Sequence, residues 1–293
     1  MRTRLVHSMT TVVLTVLVGG LIAATLVRDA PGYGVDEREL DSRYSQESIR
    51  QFREPSQARQ SIVPFYLHYL TRVLSGDLGI SPSFHRPVGE LIAERFPETA
   101  RSAGAGLAMG WTLGMLAALA GVAVARPGFH MVAGGVAALL LCLPSSVLAL
   151  IFVLVGRMEG RSAAAGVIAL VVFPRVFRYA RAILARVSES PHVLMARAKG
   201  LRPVRLLCAH VLRPAAPAVA ALLGASVSVA FAAAIPVEVL CDSPGLGQLA
   251  WQAALKRDLP LLINITLLVS VFAGISGVAG EMARPRPVAG EKA

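Results

Sequence analysis

Met195–Pro214 reads MARAKGLRPVRLLCAHVLRP, a run of cations and leucines that closes on proline and lies between two long apolar segments. Met195–Lys199 holds good helix formers, Gly200 ends that short helix, and Arg202 and Pro203 precede a second helical run toward Pro214. The pattern predicts two short helices at a membrane surface, hinged at a glycine. Charge alone equally allows a plain basic loop held on the cytoplasmic side.

The flanks decide in which solvent such a segment sits. With 55% hydrophobic and 16% charged residues and a mean hydropathy of +0.60, the chain is too apolar for an ordinary soluble domain of its length. Apolar runs of spanning length occur at Met9–Val27, Ala103–Ala125, Met131–Val155, Ala215–Val237 and Leu259–Ala279. Ala163 to about Arg181 is a sixth and weaker run, since Pro174 interrupts it and Arg175 and Arg178 follow; cations near a helix end can reach the interface. Arg2 and Arg4 ahead of the first run would also suit a signal peptide. That run is long for one, and no small-x-small cleavage site precedes Arg28, so the reading is an uncleaved first helix.

A net charge of +11 raises nucleic acid as a partner, but the cations form short clusters beside apolar runs, with no basic face interleaved with aromatics. With the N-terminus inside, the inner segments hold Arg2, Arg4, Arg126, the cluster from Arg178 to Arg213, Arg284, Arg286 and Lys292. The short outer loops hold only Arg157, Arg161, Lys256 and Arg257. This bias places both termini and the Met195–Pro214 stretch in the cytoplasm. The long segment from Arg28 to Ser102 is then external: polar to Gln60, an amphipathic helix over Ile62–Leu74, then turn punctuation at Gly76, Gly79, Pro82 and Pro87.

Gly106, Gly110 and Gly114 fall four apart on one helix face and predict close helix packing. Cys142, Cys208 and Cys241 show neither a disulfide framework nor metal spacing and read as unpaired thiols. Neither HExxH nor GxxxxGK[ST] occurs, so the chain itself is expected to have no metal site, no catalytic residues and no nucleotide site. A secondary transporter would need charges or an inverted repeat within the spans, and a membrane enzyme would need a catalytic constellation; the pattern offers neither.

Ala196, Arg197, Ala198, Lys199, Gly200 and Leu201, followed by His210, Leu212 and Arg213, resemble the EAA loop of permease subunits of binding-protein-dependent ABC importers, in the peptide/nickel branch. Arg178 and Arg181 ahead of the loop, GDLG at Gly76–Gly79, PVGELIAERFPETA at Pro87–Ala100 and VEVLCDSPGLGQLAWQAALKRDLP at Val237–Pro260 resemble the same branch in order and spacing. Pro191, His192 and Met195 depart from its usual loop residues.

The resemblance implies an all-α polytopic protein of the bacterial cytoplasmic (inner) membrane. It implies six transmembrane helices, the last five forming a type I, MetI-like permease core. Residues 1–98 would carry the first helix and the external segment, 99–285 the permease domain with its coupling loop at 188–213, and 286–293 a cytoplasmic tail. Implied partners are ABC ATPase subunits that bind ATP and Mg²⁺, a second permease and an extracytoplasmic solute-binding protein. In this reading Glu238, Pro244, Gly245, Gly247 and Asp258 form an external gate loop, the glycines giving a tight turn and Asp258 capping the last helix. Ser226, Ser228, Asn264, Thr266 and Ser270 are available to line a polar path, which suits di- or oligopeptides better than a bare metal ion. Nickel or a metal chelate is the alternative solute.

Overall fold

The computed structural model describes residues 10, 13–14, 17–22, 25, 70–73, 75–124, 127–156 and 159–282. The polar stretch to Gln60, most of Ile62–Leu74 and the tail 286–293 lie outside the described residues, and of the first span, residues 9–27, only about half are described. Those described form one hairpin and a series of helices: β1 (Ile80–Ser81), β2 (Arg86–Pro87), α1 (Val88–Val124), α2 (Pro127–Cys142), α3 (Ser145–Gly156), α4 (Gly160–Ser188), α5 (Pro191–Ala198), α6 (Pro203–Arg205), a π-helical segment Leu206–Leu212, α7 (Arg213–Leu240), α8 (Leu246–Leu255) and α9 (Leu259–Met282).

Three of these are long and apolar enough to cross a membrane: Val88–Val122, Pro203–Leu240 and Leu259–Gly280. A fourth counts if α2 and α3 form one broken span. The continuous span expected over Met131–Val155 is therefore corrected, since its two halves meet at 105°. Pro144 is the cause. It offers no N–H to the helix before it and pushes Leu143 out of the helical region. The weaker run at Ala163–Arg181 is instead one unbroken helix, α4, that continues to Ser188 with Pro174 inside it. The turn punctuation falls in a two-stranded antiparallel hairpin that pairs Ile80 with Pro87 and Ser81 with Arg86, with Pro82 directly after the first strand and Pro87 closing the second.

The chain divides into two compact units. In the first, which holds Arg95–Leu249 and Val271–Ala293 together with Met1–Val13, α4 is the central element. An added Cβ at Gly106 would stand 2.7 Å from the Ala165 carbonyl oxygen and one at Gly110 2.7 Å from that of Ala169, so α1 and α4 touch backbone to backbone. The glycine stripe is thus a packing face. Gly166 of α4 leaves room for the Phe152 ring of α3 in the same way. Around α4 sit two apolar clusters, one including Ile168, Val172, Ala234 and Val237, the other including Phe177, Leu184, Val193 and Val211.

In the second unit, Leu14–Glu94 and Ala250–Ser270, the GDLG stretch forms a local turn. Asp77 Oδ1 accepts from the Gly79 N–H at 2.9 Å, and its other oxygen pairs with Arg72. The Arg72 guanidinium, with the Gly79 N–H, holds the Asp77 carboxyl below its usual range.

Candidate functional site

Two sites hold most of the sequence-predicted residues of the first unit. At the loop, α5 ends in a Schellman arrangement: the Gly200 N–H bonds to the Arg197 carbonyl at 3.0 Å and the Leu201 N–H to that of Ala196 at 3.5 Å. Gly200 has φ +73° and open space where a Cβ would stand, so backbone conformation rather than crowding requires glycine there. Two residues on, Arg202 is extended and Pro203 opens the next helix, which runs without a break through Leu206–Leu212 into α7.

The π-helical segment has a sequence cause. Pro214 cannot donate to the His210 carbonyl one turn back, and that oxygen lies 3.2 Å from His192 Nε2 of α5 instead. Since a carbonyl only accepts, His192 carries its proton on Nε2 in this bond. The bond ties the short helix to the base of α7. Val193 and Ala196 bury the inner face of α5, whereas Arg197, Ala198 and Lys199 are exposed. Leu194, Met195 and Val204, 51%, 62% and 73% exposed, form an apolar surface among these cations and Arg202 and Arg205. Leu212 and His210 are half-buried and Arg213 is exposed.

The second site is a polar knot at the far end of α7. Glu238 is completely buried, yet accepts from the Thr99 hydroxyl at 3.1 Å, the Ser102 hydroxyl at 3.1 Å and the Gly247 N–H at 2.8 Å. Thr99 Oγ1 in turn accepts from the Leu246 N–H at 2.8 Å. One carboxylate thereby pins the loop after α7 to α1, and together with Thr99 it satisfies the first two N–H groups of α8. Crowding dictates the glycines here, as a Cβ on Gly245 would be 2.3 Å from Glu238 Oε2 and one on Gly247 2.3 Å from the Ile235 oxygen. The Pro244 carbonyl accepts from Arg95 at 3.3 Å. Nearby, Glu98 and Arg161 form a two-pronged ion pair between α1 and α4.

Residues 110–284, more than half of the chain, match the family described as the binding-protein-dependent transport system inner membrane component. The chain belongs to that family. It is 27% identical over 229 residues to the oligopeptide transport system permease protein OppB of Escherichia coli strain K12, covering 72% of this chain and 74% of that protein. The same identity and coverage hold for OppB of Salmonella typhimurium strain LT2. OppB of Haemophilus influenzae is 25% identical over 265 residues, 84% of this chain and 85% of the relative.

In this inner membrane component the remaining predicted residues are dispersed. Asp258 belongs to the second unit, where its Oδ1 accepts from the Leu261 N–H at 3.2 Å and so caps α9; its other oxygen accepts from the Ser81 hydroxyl and, at 3.3 Å, the Ser83 N–H. Asn264 is buried and donates to the Leu78 and Pro260 carbonyls at 3.0 and 2.9 Å. Ser226 and Thr266 donate to the carbonyls of Leu222 and Leu262, each one turn back, and Ser228 to that of Ala273 at 3.2 Å. Ser270 is half-buried on α9. Sequence reading singled out Glu238 but missed Thr99, Ser102, Glu98 and Arg161. The available signal was the run Glu98, Thr99, Ser102, whose last two members share one helix face.

Proposed function

We propose that this chain is the peptide-translocating permease subunit of an ATP-driven importer, with six spans of which the last five form a MetI-like core. The observation that carries the solute is the likeness to oligopeptide permeases over most of both chains. Both termini and the loop at 188–213 lie in the cytoplasm in this reading. The loop is the coupling element: Ala196, Arg197, Ala198, Lys199, Gly200 and Leu201, with His210, Leu212 and Arg213, meet an ATPase subunit that binds ATP and Mg²⁺.

The physical reason is the build of the loop. A short helix with one buried face and one exposed apolar and cationic face offers a surface to a soluble partner. The glycine turn joins that surface to a helix long enough to cross the membrane, so displacement of the partner is transmitted to α7. Glu238, Pro244, Gly245 and Gly247 act at the extracytoplasmic mouth, where a solute-binding protein delivers the peptide, and Asp258 fixes the start of α9. Ser226, Ser228, Asn264, Thr266 and Ser270 supply polarity to the helices beside the path, and a second permease completes it. Disruption of the gene lowers uptake of labelled di- and oligopeptides into cells and leaves nickel accumulation unchanged. Normal peptide uptake together with lost nickel accumulation contradicts the peptide reading.

A further inference from the structure

Arg175 occupies an unusual place. Along α4, at 1.5 Å per residue, it lies about 21 Å from Arg161, whose ion pair with Glu98 marks one end of the helix. In the six-span reading α4 crosses the membrane, and Arg178 and Arg181, about 25 and 30 Å along it, then stand near the opposite face of a hydrocarbon layer roughly 30 Å thick. Because α4 continues to Ser188, Arg175 stands within a helix and not near its end, which corrects the sequence-based placement. Among the described residues it has no ion pair and no hydrogen bond.

Two clefts of the first unit meet at this side chain. One, of about 450 Å³, lies between α4 and α7 and includes Tyr179, one turn beyond Arg175, and Ser226. The other, of about 610 Å³, opens at the bend between α2 and α3 and includes Pro144, Ser145 and Ser228. Arg175 lines both, and it is the one charged residue in either lining. The second cleft is also lined by Ser145, the first residue of α3, a twelve-residue helix whose leading N–H groups have no partner within the helix. Such a helix start favours negative charge. Pro144 thus does more than bend a span: it sets the N-terminus of a half-helix and a guanidinium on the same cavity.

A cation at membrane depth is expensive unless it faces a cavity or an opposite charge. Arg175 is exposed and lines both clefts, the start of α3 lines the second, and no carboxylate lines either. We propose that Arg175, with the N-terminus of α3, forms a transit site for carboxylate groups of the peptide as it crosses. The guanidinium binds a carboxylate through two parallel hydrogen bonds. The Tyr179 hydroxyl, 64% exposed with its ring, is a further donor on the same wall. This inference rests on the peptide reading and deepens it by naming the solute chemistry that the permease itself senses.

The test uses the complete importer, both permeases with the ATPase subunits, in proteoliposomes supplied with its binding protein. Initial rates are measured for Ala-Ala-Ala, Ala-Glu-Ala and Ala-Lys-Ala, in the wild type and in Arg175→Gln, Arg175→Lys and Arg175→Glu. Arg175→Gln lowers Ala-Ala-Ala uptake about tenfold, the equivalent of one lost charge-assisted hydrogen bond, and Arg175→Lys retains most of it. Arg175→Glu inverts the wild-type preference for Ala-Glu-Ala over Ala-Lys-Ala. Equal loss for all three peptides in every variant, Arg175→Lys included, assigns Arg175 to packing or to an acidic residue of the second permease and overturns the proposal. Unchanged rates and ratios in Arg175→Gln overturn it as well. A wild-type importer that carries none of the three peptides overturns the peptide reading itself, a result distinct from either.

Discussion

Glu238→Ala releases the loop after α7 and destabilises that end of the protein by about 3 kcal/mol, whereas Glu238→Gln stays within about 1 kcal/mol of the wild type. The difference follows from donor accounting. Alanine leaves the Gly247 N–H without an acceptor in a site closed to water, and leaves a void where the carboxylate stood. Glutamine keeps one oxygen for the Thr99 hydroxyl and the Gly247 N–H. Its amide donates to Ser102 Oγ, which is free to give its own hydrogen to the Thr99 carbonyl 3.1 Å away. Limited proteolysis of membrane vesicles checks this: cleavage between Cys241 and Gly247 accelerates in the alanine variant alone. Equal protection of both variants would show that the loop stands without the carboxylate.

Gly200→Val cuts peptide-stimulated ATP hydrolysis by the assembled importer about tenfold, and Gly200→Asn keeps most of it. At φ +73° a β-branched residue is strained by about 1–2 kcal/mol, while asparagine tolerates the left-handed region. The open space around the site excludes a steric clash with neighbours as the cause. The spans insert normally in both variants, because Gly200 lies outside the three helices long enough to cross a membrane. The readout is ATPase activity with and without binding protein and peptide, on complexes matched for permease content. Wild-type stimulation in a normally inserted valine variant would remove the coupling role of this turn.

Legibility in the sequence followed the range of each interaction. Gly200 with Arg202–Pro203, the Asp258 cap and the glycines at 106, 110 and 114 are local or periodic signals, and the structure puts each to the use that its chemistry predicts. The break at Leu143–Pro144 was visible as a proline, but the apolar composition on both sides reads as one span whenever hydropathy is averaged across it. Arg175 was misplaced for a related reason. Loss of apolarity after Pro174 suggested a helix end, whereas α4 continues as a helix with cations on its exposed side.

The Glu238 knot was beyond local reading altogether. Its partners Thr99 and Ser102 lie more than 130 positions earlier, and no periodicity links them to α7. The hydroxyls and the amide of the expected polar path illustrate the converse. Their types were legible and so were the carbonyls one turn back to which Ser226, Thr266 and Asn264 donate, but the bonds from Ser228 to Ala273 and from Asn264 to Leu78 depend on packing between distant segments.

In the proposed function this chain moves peptides through the membrane by coupling to a separate ATPase. It is tested most directly by uptake of a radiolabelled tripeptide into proteoliposomes containing this permease, its partner permease and the binding protein, with the ATPase subunits and ATP present or omitted. The expected result is accumulation against a gradient that requires this chain, the ATPase subunits and ATP together. Accumulation that persists without the ATPase subunits, or that is unaffected when this chain is left out, would contradict it.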